Sequence, residues 1–161
     1  TDTGLVFVHW NTHLDHVGEI APVESTKLLL QRMDQTTIDR IPAIVTADFN
    51  SKPDSDTHRL FLKRGFIDTF LAVGNQDDES SDTFHAFEGA RYRSGGPIDS
   101  YGRDKMKTTT RMDWVLIRHE AGDAEAGSCV IVRDHEGPIY PSDHYPVFAD
   151  LSFAVSPSGL D

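Results

Sequence analysis

Ile41-Pro42-Ala43-Ile44-Val45-Thr46-Ala47-Asp48-Phe49-Asn50 is the stretch on which the fold turns. Through Ala47 it is apolar and rich in β-branched side chains, which predicts a buried strand over residues 41–47. It then breaks into Asp-Phe-Asn. A carboxylate and an amide set directly after a buried run must be paired or bound to a metal, because leaving them desolvated and alone costs several kcal/mol. Asp and Asn also favour turns, so the same triplet reads as the turn that ends the strand.

Reading outward, residues 4–10, with Leu5-Val6-Phe7-Val8 at their centre, predict another buried strand, and it too ends on polar groups, Asn11-Thr12-His13-Leu14-Asp15-His16. Between the two strands, residues 22–35 carry Val23, Leu28, Leu29, Leu30 and Met33 at helical spacing. Glu24 falls in the expected first turn and Arg32 near the end, an arrangement that suits the helix dipole. Downstream, Ser55 and Asp56 can cap a helix through Leu60, Phe61 and Leu62, which Gly65 terminates. A polar acidic loop follows at 75–82 and a Gly-rich one at 89–110. Residues 114–117, 129–132 and 147–153 read as strands, and 156–161 as a frayed tail. Strand, helix, strand, helix, then mostly strands gives an α/β class in which helices cover a sheet that is at least partly antiparallel. Residues 1–161 read as a single domain, without repeats or linkers.

At 161 residues, 38% hydrophobic and 25% charged, the chain can bury a sizeable core and is not of disordered composition. Its apolar runs are far shorter than the ~20 residues of a membrane span. The formal charge of −11 repels polyanions and argues against a general nucleic-acid coat protein. Such acidity also fits a high-salt habitat. Basic residues concentrate at Arg91, Arg93, Arg103, Lys105, Lys107 and Arg111, against Asp99 and Asp104, as a solvated loop or a basic lip beside a phosphate site. Cys129, the single cysteine, excludes an intrachain disulfide framework and a thiolate metal site. It reads as a buried inert thiol, and slightly favours a reducing, cytoplasmic setting.

Four clusters sit at strand ends: residues 11–16, Asp48-Phe49-Asn50, Arg111-Met112-Asp113-Trp114 and Ser142-Asp143-His144-Tyr145-Pro146. Together they offer carboxylates for a hard divalent cation, an amide to hold a phosphate oxygen and imidazoles for proton work, an inventory suited to metal-assisted phosphoryl hydrolysis. His9, His58, His119 and His135 stand outside any motif and read as surface or packing residues. Trp10 and Trp114 read as core. Asp15 and His16 read equally well as pocket-shaping or as exposed turn residues.

The segments Asn11-Thr12-His13-Leu14-Asp15, Thr46-Ala47-Asp48-Phe49-Asn50, Met112-Asp113-Trp114-Val115 and Ser142-Asp143-His144-Tyr145-Pro146-Val147 resemble, in order, the motifs of the endonuclease/exonuclease/phosphatase superfamily. The resemblance runs from Leu5 to Phe153 and implies a DNase I-like four-layered α/β sandwich. It implies Mg²⁺ or Mn²⁺ as cofactor and a phosphodiester or phosphomonoester as substrate, whether small molecule, lipid head group or nucleic acid. By the same resemblance His13 donates to the scissile phosphate and Asp48 orients or deprotonates the attacking water. Asn50 holds a phosphate oxygen, and Asp143, with Asp48, touches the metal. His144, fixed by Asp113, stabilises the charge developing on phosphorus. Thr83-Phe84-His85-Ala86-Phe87 resembles a substrate-side segment, which would place Phe84 and His85 near substrate.

Members of that family usually carry a further N-terminal part, with an Asn on its first strand and the principal metal-binding Glu. Glu19 and Glu24 follow the His13 motif instead of preceding it, and Ala47 stands where glycine is usual. The expectation is therefore the C-terminal portion of such a domain, and the alternative function is a catalytically silent half-domain or interaction module. His13-Leu14-Asp15-His16 also resembles the end of the metallo-β-lactamase zinc motif, but Asn11 occupies the place of its first histidine. No Gly-x-Ser-x-Gly elbow for a serine hydrolase is present.

Overall fold

A computed structural model describes residues 6–36, 41–78, 80–92, 111–118 and 124–153. The central apolar run forms β2, Ala43–Asp48, an interior strand of a four-stranded sheet. β1, Val8–His13, lies parallel to it on one side, and the helix α1, Ile20–Thr36, supplies the crossover that a parallel pair requires. On the other side β4, Asp113–Arg118, runs antiparallel, and the two-residue β3, Ile67–Asp68, pairs antiparallel with β4.

Alternation along β2 decides what each face does. Ala43, Val45 and Ala47 are buried, whereas Ile44, Thr46 and Asp48 are half-buried on the opposite face. The buried face is covered by α1 and by α2, Asp56–Lys63, around a core that includes Leu30, Met33, Val45, Phe49, Phe61 and Trp114. Phe49 stacks on Trp114 with centroids 4.3 Å apart, and Phe61 meets Phe49 edge-on at 5.4 Å. Each such side chain contributes roughly 1.5–3 kcal/mol by leaving water. Trp10 packs against this core and Trp114 lies within it, as the sequence predicts.

Helix α2 is closed as expected. The Ser55 side chain accepts from the His58 N–H, and Gly65 at φ 78° ends the helix in the left-handed region. A short α3, Thr69–Ala72, follows β3 and packs on β5, Ala124–Ile131. β5 pairs antiparallel with β6, Val147–Phe153, in a second, two-stranded sheet with a bulge between Ala126 and Ser128. β6 approaches the half-buried face of the first sheet, leaving a groove lined by Phe7, Ile44, Val115, Val147 and Phe148. Among the described residues no helix is long and apolar enough to cross a membrane.

Three expectations need correction. The first strand spans Val8–His13, and Val6 and Phe7 precede it, 64% and 50% exposed. Val8 N–H donates to Pro42 O, and Pro42, lacking an N–H, cannot extend the ladder further. Helix α1 begins at Ile20, so Pro22 occupies the first turn, where a missing N–H costs nothing. Glu24 and Arg32 therefore lie outside the first and last turns, which carry no complementary charge. Strand β5 starts at Ala124, well before residue 129. Residues 1–5, most of the expected loop 89–110, His119 and the tail 156–161 lie outside the described residues.

Candidate active site

The strand register alone assembles most of the site. His13 pairs with Asp48 across β1 and β2, and Asp48 pairs with Asp113 across β2 and β4. Residues directly opposite each other project on the same side of a sheet, so the three form a row at one edge of the half-buried face. His13 Nε2 lies 3.1 Å from Asp48 Oδ2.

Asn50 folds back over this row. Its φ of 44° is left-handed, a conformation asparagine tolerates better than most residues. Its N–H donates to Asp48 Oδ1 at 2.9 Å, and Nδ2 reaches Leu14 O at 2.9 Å, His13 Nε2 at 2.9 Å and Asp48 Oδ2 at 3.3 Å. The Asp-Phe-Asn triplet is thus a turn, as its composition predicts, and that turn pins His13 and Asp48 together.

His144 enters from the segment before β6. That segment is laced to residues 83–86: Tyr145 N–H donates to Thr83 O, and His85 and Ala86 N–H donate to Asp143 O. Phe84 and His144 form an antiparallel bridge. His144 Nδ1 sits 2.8 Å from Asp113 Oδ2. A carboxylate only accepts, so Nδ1 carries the proton and Nε2 is turned towards Asp48 Oδ2, 3.8 Å away. Burial works against the imidazolium, but the Asp113 hydrogen bond and the charges of Asp113, Asp48 and Asp143 outweigh it and hold the pKa above the ordinary 6.5. Burial likewise disfavours the Asp48 carboxylate, and the neighbouring Asp113 charge adds to it. Together they raise the Asp48 pKa above 3.8 despite the Asn50 N–H and the two histidines.

Asp48, Asp113 and His144 each offer one ligand atom within 4.8 Å of the others, the arrangement among the described residues able to hold a metal ion. Asp143 stands outside that trio, its Oδ1 accepting from Ser142 Oγ at 3.3 Å. The Phe84 ring lies 5.1 Å from the His144 ring and 5.4 Å from Tyr92. His85 points the other way, 1% exposed and stacked on Tyr145 at 3.9 Å. Asp15 accepts from the Gly18 N–H and shapes the turn before α1. Exposed His9 bonds Thr46 Oγ1 at 2.7 Å, and His135 bonds Gly137 O.

Sequence reasoning missed a buried charge cluster beneath the row. Arg111 is 1% exposed, not part of a basic lip. Its guanidinium donates to Asp68 Oδ2 at 2.8 Å and to Asp77 Oδ1 at 2.5 Å. His58 Nε2 also donates to Asp68 Oδ2, at 2.9 Å, because its Nδ1 accepts from the Asp54 N–H. The Trp114 indole N–H donates to Arg111 O at 2.9 Å, so the cluster anchors the start of β4, immediately before Asp113. The one available signal was an arginine directly preceding an apolar strand. Of the remaining basic residues of the expected lip, exposed Arg91 is described and the others lie outside the described residues.

The sequence profile of the Endonuclease/Exonuclease/phosphatase family matches residues 4–144. Among curated proteins, none matches the chain in sequence. Among solved structures, the mannosyl-6-phosphatase of Bacteroides thetaiotaomicron is similar at TM-score 0.71 and 23% identity over 94% of this chain and 53% of its own. An endonuclease/exonuclease/phosphatase from Bacteroides vulgatus reaches 0.69 and 29%, over 94% and 51%. TDP2 from D. rerio, complexed with a single-strand DNA product, reaches 0.67 at 15%, over 94% and 58%. The chain thus spans about half the length of these structures, between 51% and 58%.

Proposed function

The chain belongs to the endonuclease/exonuclease/phosphatase family, with its mixed α/β, DNase I-like fold, and from that membership we propose that it hydrolyses a phosphate ester by direct attack of water. The observation that carries this reading is the row His13, Asp48, Asp113 met by His144. Asp48, 3.1 Å from His13 Nε2 and held by the Asn50 N–H, takes the proton of the attacking water as the water oxygen bonds to phosphorus and the ester oxygen leaves. His13 and the Asn50 amide hold non-bridging oxygens. His144, its Nδ1–H fixed on Asp113 and its pKa raised by that hydrogen bond and the nearby carboxylates, faces the charge that builds on phosphorus. Phe84 walls the site beside His144, and buried His85 stacks on Tyr145, the residue after His144. No covalent enzyme intermediate is required.

The donor set fits Mg²⁺ or Mn²⁺. Two carboxylates in one row raise the cost of ionising Asp48, a cost a divalent cation would remove, and few protein oxygens suffice for an ion that keeps its waters. Asp48 would hold it together with Asp113 or Asp143. Bound there, it supplies Lewis-acid polarisation of the phosphate. The charge of −11 favours a small or locally recognised phosphate ester over long duplex DNA.

A second reading is a catalytically silent half-domain or interaction module derived from such an enzyme. Release of p-nitrophenol from bis-p-nitrophenyl phosphate and from p-nitrophenyl phosphate, with Mg²⁺, with Mn²⁺ and with chelator, separates the two. Metal-dependent release that His144→Ala abolishes supports the enzyme. Silence of folded protein on both esters and on a wider panel supports the module.

A further inference from the structure

Thr83 has no place in the chemistry above, yet it touches both elements that bring Asp113 and His144 together. It is fully buried, 0% exposed. Its Oγ1 accepts from Met112 N–H at 2.9 Å and from Asp113 N–H at 3.3 Å, where β4 begins. Its carbonyl accepts from Tyr145 N–H at 2.7 Å, one residue past His144. One residue thus grips the backbone of Asp113 with its side chain and the backbone next to His144 with its main chain.

The lacing continues along the strap. Phe84 bridges to His144, and the next two N–H groups both donate to Asp143 O, at 2.8 Å from His85 and 3.1 Å from Ala86. Ala86 and Phe87 then turn at φ 49° and 62°, which carries the chain away from the site. Asp113 and His144 come from elements 31 residues apart, and their 2.8 Å hydrogen bond requires those elements to be held in register. The His144 N–H bond to Ser142 Oγ is local to its own turn and cannot set that register.

We propose that Thr83 is a positioning residue, whose hydroxyl sets the spacing between Asp113 and His144 and thereby the aim of His144 Nε2. The inference rests on the hydrolytic reading for its kinetic consequence, but its structural content stands without it. Removing the acceptor in Thr83→Val takes the side-chain oxygen from two half-buried N–H groups at the root of Asp113, while Thr83→Ser keeps it. A misplacement on the ångström scale costs on the order of 100-fold in rate with little change in binding.

Two readouts test this on the 161-residue chain. The first is the downfield NMR resonance of the His144 Nδ1 proton, assigned by its loss in His144→Gln. It should shift upfield or vanish in Thr83→Val and remain in Thr83→Ser. The second is hydrolysis of bis-p-nitrophenyl phosphate, where Thr83→Val should lower kcat by roughly 10- to 100-fold with KM within about twofold, and Thr83→Ser should restore it. Thr83→Cys, similar in size but a weak acceptor, replaces the valine variant if that one does not fold. An unchanged resonance in folded Thr83→Val or Thr83→Cys overturns the inference. So does a kcat loss that serine fails to rescue. A wild type silent on phosphate esters overturns the hydrolytic reading instead, and the resonance still decides the role of Thr83.

Discussion

His144 and Asp113 share a hydrogen bond of 2.8 Å between Nδ1 and Oδ2, with each side chain 22% exposed. Because the folded protein binds the His144 proton more tightly than an ordinary imidazole of pKa 6.5 does, the pair stabilises the fold fully below pH 6.5, and that stabilisation is lost as pH rises through the folded value. Asp113→Asn should move the His144 titration, followed by NMR at the ring carbon protons, to lower pH. An unmoved titration would show that the Asp48 and Asp143 charges suffice without Asp113.

Asp48 pays for its position. Its folded pKa is raised, so its ionisation opposes folding increasingly as pH climbs above 3.8. Asp48→Asn keeps an oxygen for the Asn50 N–H and removes the half-buried charge beside Asp113. It should melt at or above the wild-type temperature at neutral pH while lowering kcat by about 100-fold or more. A variant both inactive and markedly less stable would mean that the carboxylate holds the turn together electrostatically.

Asp68 behaves in the opposite sense. Burial alone would raise its pKa, but the His58 hydrogen bond and the Arg111 charge and hydrogen bonds win and depress it below 3.8. Its contribution is therefore complete above pH 3.8 and fades as pH falls towards the folded value. Asp68→Ala leaves Arg111 buried with one partner fewer, a change that costs on the order of 3–5 kcal/mol. Urea denaturation should find that gap at neutral pH and a smaller one below pH 3.8.

Cys129 is buried, 3% exposed, and takes a hydrogen bond from Thr69 Oγ1 at 3.3 Å; burial pushes its thiol pKa up. A thiol of that kind is a poor nucleophile. A disulfide reagent such as Ellman's should label it slowly in native protein and at once in denaturant. Fast native labelling would mean that α3 and β5 separate readily.

Which parts of this could be read from the sequence follows from how local each signal is. Asp48, Asn50 and His13 were legible because each interrupts or ends an apolar run, and the register of β1 on β2 then places them side by side. Ser55 and Gly65 declared α2 by chemistry confined to a few residues. Arg111 was misread because its partners, Asp68 and Asp77, lie 43 and 34 residues upstream. A basic residue among other basic residues reads as solvated until those partners are known. Thr83 was legible only as part of a family-like segment, since a hydroxyl announces nothing until the backbone it grips is folded beside it. β3 is too short, at two residues, to leave a periodic trace.

The row His13, Asp48, Asp113 sets a limit on how this gene can change length. Each member is aligned by strand pairing and not by a loop, so inserting or deleting a single codon within 43–48 would turn Asp48 to the helix-covered face and bury it beneath α1 and α2. Insertions should therefore be tolerated in the connections outside the strands, and the spacing inside β2 should stay fixed wherever the site is kept.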